Sequence, residues 1–242
     1  MDTKGFNIVV KDDYEALSSE AARQIAEAIQ EKPHLVIVLA TGSTPTRVYE
    51  LLAERYRKGE FKTEKIIAVK LDEWGGLPMN DPGTCETYLK KHVIWPLDIP
   101  DKHFLSFDSN PSNPINECTH IKNTLDNLGT IDICILGLGA NGHVAMNELA
   151  DTLEPRPHVA NLAESTRHHA MLRDSPEVKY GMTLGMEDIL GSKKIIMLVN
   201  GAHKASQLKQ LSDGPVTPQF PASYLRQHPD AIVLADKAAA GQ

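Results

Sequence analysis

The most constraining feature of the sequence is the alternation of short, continuous apolar runs with longer segments of helical periodicity. The runs LVIVLA (35–40), DICILGLG (132–139) and AIVLAD (231–236) are typical of strands that are covered on both faces. Segments 14–32 and 115–129 place apolar residues at helical spacing instead. Because strands that alternate with helices form βαβ units, the sequence predicts an α/β fold, a doubly wound, mostly parallel sheet with helices on both faces.

The other predicted elements continue this alternation. The predicted strands are 6–10, 66–73 and 195–200, and the predicted helices are 46–57, 84–97 and 202–211. Segment 149–180 has little periodicity and is expected to be irregular. The chain of 242 residues contains no internal repeat, low-complexity tract or linker, so we expect a single Rossmann-like domain over residues 1–242.

Charge and cysteine content exclude several classes of protein. The net charge of −7 argues against a nucleic-acid partner, which requires a clustered positive field. No stretch approaches the roughly 18 apolar residues of a membrane span, and acidic residues interrupt the start before any signal-peptide core. Cys85, Cys118 and Cys134 are too widely spaced for a disulfide framework or a CxxC metal site. We therefore expect a cytoplasmic protein that has no nucleic-acid and no membrane partner.

Four loops at the predicted carboxyl ends of strands carry unusual residues. They are TGSTP (41–45), LDEWGGLP (71–78), GANGHVAMNE (139–148) and NGAHK (200–204). In open α/β sheets, ligands bind outside the carboxyl ends of the strands. The convergence of these loops therefore predicts a small-molecule site.

The first loop has the properties of an anion site. Thr44 suits the N-cap of the following helix and Pro45 suits its first position. Backbone N–H groups, the helix dipole and the hydroxyls of Ser43 and Thr44 can together hold an anion. No Gly-Lys-Ser/Thr follows, so the loop is not a Walker A motif. Taken alone, it is also explained by an ordinary capped helix.

Asp72 and Glu73 end an apolar strand in the second loop. Successive residues of a strand face opposite ways, so one of the two can point into a given site. A carboxylate near a desolvated strand end can act as the general base for a carbon acid. The alternative is a pair of solvated acids or a helix-capping aspartate.

The third loop delivers His143 and Glu148 after a glycine-rich turn. Gly137, Gly139 and Gly142 allow a tight backbone, but no acidic ribose partner follows, which argues against a dinucleotide site. An imidazole steered by a carboxylate is a poised acid–base group. A histidine with a purely structural hydrogen bond is the alternative.

Two further basic features need an interpretation. Lys204 lies in the first turn of a predicted helix, where the dipole disfavours a cation, so it either serves a bound anion or is a solvated lysine. The adjacent His168 and His169 lack flanking ligands at metal-binding spacing and are expected in a surface loop. We therefore predict no metal site.

In combination, these motifs resemble the glucosamine-6-phosphate deaminase/isomerase family. The motifs TGSTP, LDEWxGLP, GxGxNGHxAxNE and GAHKA occur in the family's order, and the similarity extends from about residue 6 to the end. The sister family, 6-phosphogluconolactonase, shares the fold. It carries Asp-Glu-Arg where this chain has Asp72-Glu73-Trp74, and it lacks the Asn147-Glu148 pair. The resemblance therefore favours the aminosugar branch.

The resemblance implies a reaction and a set of site residues. The substrate is a 2-amino-2-deoxy-hexose 6-phosphate, which becomes a ketose 6-phosphate and ammonia without a metal or organic cofactor. His143 and Glu148 assist ring opening, and Asp72 moves a proton from C2 toward C1. The phosphate is held by Gly42, Ser43, Thr44 and Lys204.

The chain departs from the family pattern at three places. The family usually has Asp two residues before the histidine, but this chain has Asn141, which cannot carry charge and supports a protonated His143 less. Neither Arg167 nor Arg173 is in register with the family's phosphate-binding arginine, and Arg173 is the one we predict. The family's long C-terminal tail is missing, which favours a monomer or small homo-oligomer without an allosteric effector.

These departures leave several functions open. Galactosamine 6-phosphate is an alternative substrate to glucosamine 6-phosphate. A lactonase-like hydrolase and a sugar-phosphate-binding regulator without catalysis are alternatives from other classes. The presence of Asp72, His143 and Glu148 speaks against the regulator.

Overall fold

The computed structural model of the protein describes residues 5–167, 170–175 and 178–242. Within these residues the chain alternates between strands and helices, as the sequence predicts. The strands are β1 (Asn7–Lys11), β2 (Val36–Leu39), β3 (Ile67–Lys70), β4 (Asp72–Gly75), β5 (Phe104–Leu105), β6 (Ile133–Gly137), β7 (His158–Ala160), β8 (Tyr180–Thr183), β9 (Lys194–Val199) and β10 (Ala231–Asp236).

The α-helices of the described residues lie between these strands. They are α1 (Tyr14–Glu31), α2 (Ser43–Arg57), α3 (Cys85–Leu89), α4 (Pro114–Leu128), α5 (Glu164–Arg167), α6 (Met186–Leu190) and α7 (Ala205–Asp213). The predicted helix 84–97 is in fact α3 followed by a π-helical turn, Lys90–Ile94. No helix in the described ranges is both long and apolar enough to cross a membrane.

The main sheet contains seven strands and all of its pairings are parallel. Its order is β1-β10-β9-β6-β2-β3-β5. After β2 the chain adds β3 and β5 on one side, and it then adds β6, β9 and β10 on the other side. The strand order therefore reverses between β2 and β6. The central strands β2, β6 and β9 consist almost entirely of buried residues, which explains their continuous apolar runs. The predicted α/β fold with a mostly parallel sheet is confirmed.

A second sheet, which the sequence did not predict, has the order β4-β8-β7 and is antiparallel. It corrects the predicted strand 66–73, because β3 ends at Lys70 and Asp72 begins the separate strand β4. Leu71 joins the two sheets: its N–H donates to Leu39 of the main sheet, and its carbonyl accepts from Leu184. The segment 149–180, predicted to be irregular, contains β7 and α5, and β8 begins at its last residue.

Candidate active site

A cavity of about 300 Å³ opens at the carboxyl ends of β2, β3, β6 and β9. All four loops singled out by the sequence contribute to its wall. The residues that line it include Gly42, Ser43, Thr44, Asp72, Trp74, His143, Thr166, His203 and Lys204. The long-range packing of the sheet thus brings together residues that are more than a hundred positions apart.

Helix α2 begins inside the TGSTP loop (41–45), which we call the anion loop, about one turn earlier than the sequence predicts. The helix starts at Ser43, and its N-cap is Gly42, not Thr44. Gly42 has φ +107°, a conformation that glycine adopts without the strain imposed by a side chain. Pro45 lies in the first turn, where its missing N–H costs no helical hydrogen bond.

Hydrogen bonds hold the carbonyl groups of this loop. The hydroxyl of Tyr88 donates to the carbonyl of Gly42 over 2.8 Å. The hydroxyl of Tyr14 lies 2.9 Å from the carbonyls of both Ser43 and Thr44. Because the first N–H groups of a helix have no acceptor within the helix, this anchored end of α2 presents donors and the positive end of its dipole to the cavity.

Lys204 and Thr44 belong to the same end of the cavity. The Nζ of Lys204 donates to the carbonyl of Leu138 over 2.7 Å, and its half-buried position lowers the pKa of the amine. The hydroxyl of Thr44 donates to Oδ1 of Asn200 over 2.7 Å, so the loops after β2 and β9 are joined. Lys204 is the residue before helix α7, at the end of a 3₁₀ turn, rather than inside the helix as predicted.

Asp72 faces the cavity from strand β4 and is only 9 % exposed. Burial and the negative charge of Glu73 together raise the pKa of its carboxyl to about 7, although the charges of His143 and Lys70 oppose both effects. The Sγ of Cys85 lies 3.8 Å from its Oδ1. A carboxylate with a pKa near neutrality is well matched to removing and returning a proton at carbon.

Glu73 points to the opposite side of β4 and is fully buried. Its carboxylate lies 2.5 Å from Nζ of Lys70, which is also fully buried. It accepts hydrogen bonds from the backbone N–H groups of Trp74, Cys85 and Glu86, so it caps the start of α3. Glu73 therefore stabilises the wall behind Asp72 and does not line the cavity.

His143 lies on the turn after β6, and the glycines of that turn make room for its ring. A Cβ on Gly139 would come within 2.2 Å of Cδ2 of His143. Gly142 has φ +92°, and Ala145 has φ +54°, an uncommon conformation for a residue with a side chain. This tight reversal returns Glu148 to the imidazole, with Nδ1 of His143 at 3.4 Å from its Oε2.

Asn141 connects the two members of this pair. Its Nδ2 donates to Oε2 of Glu148 over 2.9 Å, and its Oδ1 accepts the backbone N–H of His143 over 3.1 Å. A side-chain amide can make both contacts at once because it has a donor and an acceptor, whereas an ionised carboxylate has acceptors alone. The asparagine at this position therefore fits the geometry of the turn.

The other oxygen of Glu148 contacts a residue that the sequence did not predict. The hydroxyl of Thr166 donates to Oε1 over 2.5 Å, and the N–H of Ala163 lies 3.4 Å away. Burial by itself would raise the pKa of Glu148, but contacts with His143, Thr166 and Asn141 outweigh it and lower the pKa to about 2. Glu148 is therefore ionised across the neutral range.

The predicted arginine lies elsewhere. Arg173 is exposed, and neither it nor Arg167 is among the described residues that line the cavity. Arg167 donates instead to the carbonyl of Leu162. His168 and His169, for which no metal was predicted, lie outside the described residues. Within the described ranges no group of three or more His, Cys, Asp or Glu side chains could hold a metal ion.

Comparison with known proteins matches this arrangement to a family. A family model described as glucosamine-6-phosphate isomerases/6-phosphogluconolactonase matches residues 11–234. A protein of Escherichia coli (strain K12), "Putative deaminase AgaI", is 38 % identical over 92 % of this chain and 89 % of its own length. Glucosamine-6-phosphate deaminase 1 of Bacillus subtilis (strain 168) is 38 % identical, with 94 % and 95 % covered.

Solved structures agree with these sequence relatives. A monomeric glucosamine-6-phosphate deaminase superposes with a TM-score of 0.93 at 35 % identity, covering 97 % of this chain and 99 % of its own. A 6-phosphogluconolactonase from Thermotoga maritima superposes with a TM-score of 0.76 at 23 % identity, covering 96 % and 100 %. The second similarity establishes a shared fold.

Proposed function

The chain belongs to the glucosamine-6-phosphate isomerase/6-phosphogluconolactonase family, and from this we propose that it deaminates and isomerises an aminosugar 6-phosphate. One observation supports this most strongly: a single cavity is lined by a buried Asp72 with a pKa of about 7, the anion loop and His143, whose Nδ1 lies 3.4 Å from Glu148. The finer proposal is that the substrate is glucosamine 6-phosphate, the sugar in the names of several similar deaminases.

The 6-phosphate binds at the start of helix α2. The backbone N–H groups of Gly42, Ser43 and Thr44, the hydroxyl of Ser43 and the amine of Lys204 are its donors. Two of the three N–H bonds of the Lys204 amine remain for the phosphate after the bond to Leu138. A dianion at a helix N-terminus is also favoured by the dipole.

Ring opening is the task of His143. A proton passes from the O1 hydroxyl to the ring oxygen O5, and the C1–O5 bond breaks to give the open-chain aldehyde. An imidazole can accept and donate this proton near neutral pH. Ionised Glu148, held by Asn141, keeps Nδ1 of the imidazole on its own side so that Nε2 faces the sugar.

The C2 chemistry belongs to Asp72. Its carboxylate removes the proton from C2 while the C1 carbonyl oxygen takes up a proton, which gives a C1–C2 enolamine with a hydroxyl at C1. The proton held by Asp72 is returned to C1 and the nitrogen releases one proton, which leaves an imine at C2. One water adds to the imine carbon, ammonia leaves, and the ketose 6-phosphate remains. The substrate amine makes the imine possible, so the scheme consumes no reagent other than water.

Galactosamine 6-phosphate, the C4 epimer, is the second candidate substrate. Two observations favour keeping it: Asn141 stands where the family pattern has an acid, and Arg173 does not line the cavity. A lactonase-like hydrolysis has less support, because Trp74 contributes an uncharged ring to the cavity at the position where the lactonase pattern has an arginine.

The test is one assay with three substrates. We expect the protein to release ammonia and form a ketose 6-phosphate from glucosamine 6-phosphate. The same reaction run on galactosamine 6-phosphate identifies the preferred epimer by the ratio of kcat/KM. Acid release from 6-phosphogluconolactone without ammonia from either aminosugar would replace the proposal by a hydrolase. Binding of all three without turnover would replace it by a sugar-phosphate sensor.

We also propose that residues 1–242 form one domain that acts as a monomer or small homo-oligomer in the cytoplasm. Strands from the two ends of the chain, β1 and β10, pair with each other, which supports one folding unit. The similar deaminase of known structure is described as monomeric. The three cysteines are free and buried, as expected in a reducing compartment.

A further inference from the structure

Thr166 contacts the His143–Glu148 pair from a different part of the chain. It lies on the four-residue helix α5, is 6 % exposed, and lines the cavity. Its hydroxyl is 2.5 Å from Oε1 of Glu148, 18 residues earlier in the sequence. The other residues that hold this carboxylate are Asn141 and Ala163.

The two oxygens of Glu148 have separate partners. Oε2 accepts from Asn141 and faces Nδ1 of His143, whereas Oε1 accepts from Thr166 at close range and from the N–H of Ala163 at 3.4 Å. A carboxylate bonded at one oxygen can still rotate about its last side-chain torsion, because that torsion has a broad energy well. Short bonds at both oxygens fix the plane of the group.

We propose that Thr166 is a positioning residue that fixes the orientation of Glu148 toward His143 and so ties the geometry of the ring-opening pair to the placement of α5. The catalytic part of this inference rests on the proposed function, whereas the structural part does not. A helix of four residues has little stability of its own. Its contacts with the cavity wall, among them the Thr166 hydroxyl, therefore couple its placement to the geometry of the pair.

The hydroxyl and the methyl group of Thr166 can be tested separately. Thr166→Val keeps the shape of the side chain and removes the donor. Thr166→Ser keeps the donor and removes the methyl group. Thr166→Ala removes the hydroxyl without adding an apolar branch, which provides a second variant without the donor if valine perturbs folding. Thr124→Val is a matched control, since Thr124 makes an exposed bond to His120 on helix α4.

On the ring-closed aminosugar phosphate, we expect Thr166→Val and Thr166→Ala to lower kcat about tenfold with little change in KM, since one hydrogen bond to a charged group is lost. Thr166→Ser and Thr124→Val should stay within about twofold to threefold of the parent protein. An open-chain analogue, which needs no ring opening, should be turned over by all four variants at nearly the parent rate.

A readout independent of turnover is the ¹⁵N NMR spectrum of the His143 imidazole. We expect Thr166→Val and Thr166→Ala to change its tautomer balance, and Thr166→Ser to restore the parent spectrum. If the variants without the hydroxyl are folded and leave both this spectrum and kcat unchanged, the positioning role is overturned. A protein that releases no ammonia would overturn the proposed function alone, because the NMR result would still decide the role of Thr166.

Discussion

The carboxylates of Asp72 and Glu73, adjacent in sequence, lie on opposite sides of strand β4. Asp72 lines the cavity, whereas Glu73 is fully buried and lies 2.5 Å from Nζ of Lys70. Two residues of the same chemical class therefore have different tasks. Asp72 is available to a ligand, and Glu73 holds the backbone that positions Asp72.

The first prediction separates these tasks by substitution. We expect Asp72→Asn to lower kcat by about two orders of magnitude or more, because the amide cannot accept the C2 proton, and to leave folding intact. Glu73→Gln should lower the free energy of unfolding by about 3 kcal/mol, because buried Lys70 loses its nearest charged partner. Ammonia release and urea unfolding measure the two effects. A folded but inactive Glu73→Gln beside an active Asp72→Asn would reverse the assignment.

The second prediction concerns pH. Asp72 must be ionised to act as a base, and its pKa is raised to about 7, so kcat/KM should fall as the pH drops below that value. The folded protein keeps this proton at pH values where the unfolded chain has lost it. Asp72 therefore contributes stability below its unfolded pKa, and this contribution is lost as the pH rises toward 7.

Two measurements check this pH dependence. The pH profile of kcat/KM should have an acid limb with a midpoint near 7, after correction for ionisation of the substrate phosphate. Urea unfolding between pH 4 and 8 should show that the free energy of unfolding of the parent protein falls as the pH rises, and that Asp72→Asn makes this fall smaller. An acid limb near the ordinary pKa of an aspartate, 3.8, would show that burial does not control this group.

The third prediction concerns the phosphate. Lys204→Ala should raise KM at least tenfold and change kcat less, because a charge-assisted contact to the phosphate is lost. Inorganic phosphate should compete with the substrate. Lys209→Ala is the matched control, since Lys209 is exposed on α7 and pairs with Asp213. Equal activity on phosphorylated and unphosphorylated aminosugars would contradict this assignment.

The fourth prediction concerns the support of His143. Glu148→Gln should cost more activity than Asn141→Ala, because Glu148 provides the negative charge near the imidazole and Asn141 provides a hydrogen bond. Asn141→Asp should favour protonated His143 and shift the acid limb of the pH–rate profile to higher pH. Asn141→Asp should also raise the pKa of Glu148, because the amide that donates to Oε2 over 2.9 Å is replaced by a second negative charge. An unchanged profile would show that residue 141 has no electrostatic role.

The fifth prediction tests the step that His143 performs. His143→Gln should be strongly impaired on the ring-closed substrate and far less impaired on an open-chain analogue that keeps the C2 amine. The reason is that glutamine cannot pass a proton between O1 and O5. The ratio of kcat/KM for the two substrates measures the effect. An equal loss of kcat/KM on both substrates would show that His143 acts in the C2 step or has a structural role.

Local patterns were sufficient to predict the parallel sheet and the loops that form the cavity. A buried parallel strand is apolar throughout, a packed helix has its own period, and both signals lie within about a dozen neighbouring residues. The rule that ligands bind at the carboxyl ends of strands then connected the loops at Gly42, Asp72, His143 and Lys204.

Other features depend on contacts between distant residues. Asp72 pairs with Thr183 in the antiparallel sheet, so nothing near Leu71 indicates that the long apolar strand is divided there. Strands β7 and β8 have three and four residues, too few for a clear alternation. Arg173 was chosen from its position in the sequence, but its direction relative to the cavity depends on the packing of segment 170–175.

By itself, then, the sequence determined the order of strands and helices, the loops that meet at the cavity, and the chemical types of their side chains. The tertiary structure alone decided which of those side chains face the cavity and what surrounds them. Burial and nearby charge raise the pKa of Asp72, Glu73 turns inward to Lys70, and Thr166 reaches Glu148 from another segment. Each of these depends on distances between atoms that are far apart in the chain, and no local pattern encodes such distances.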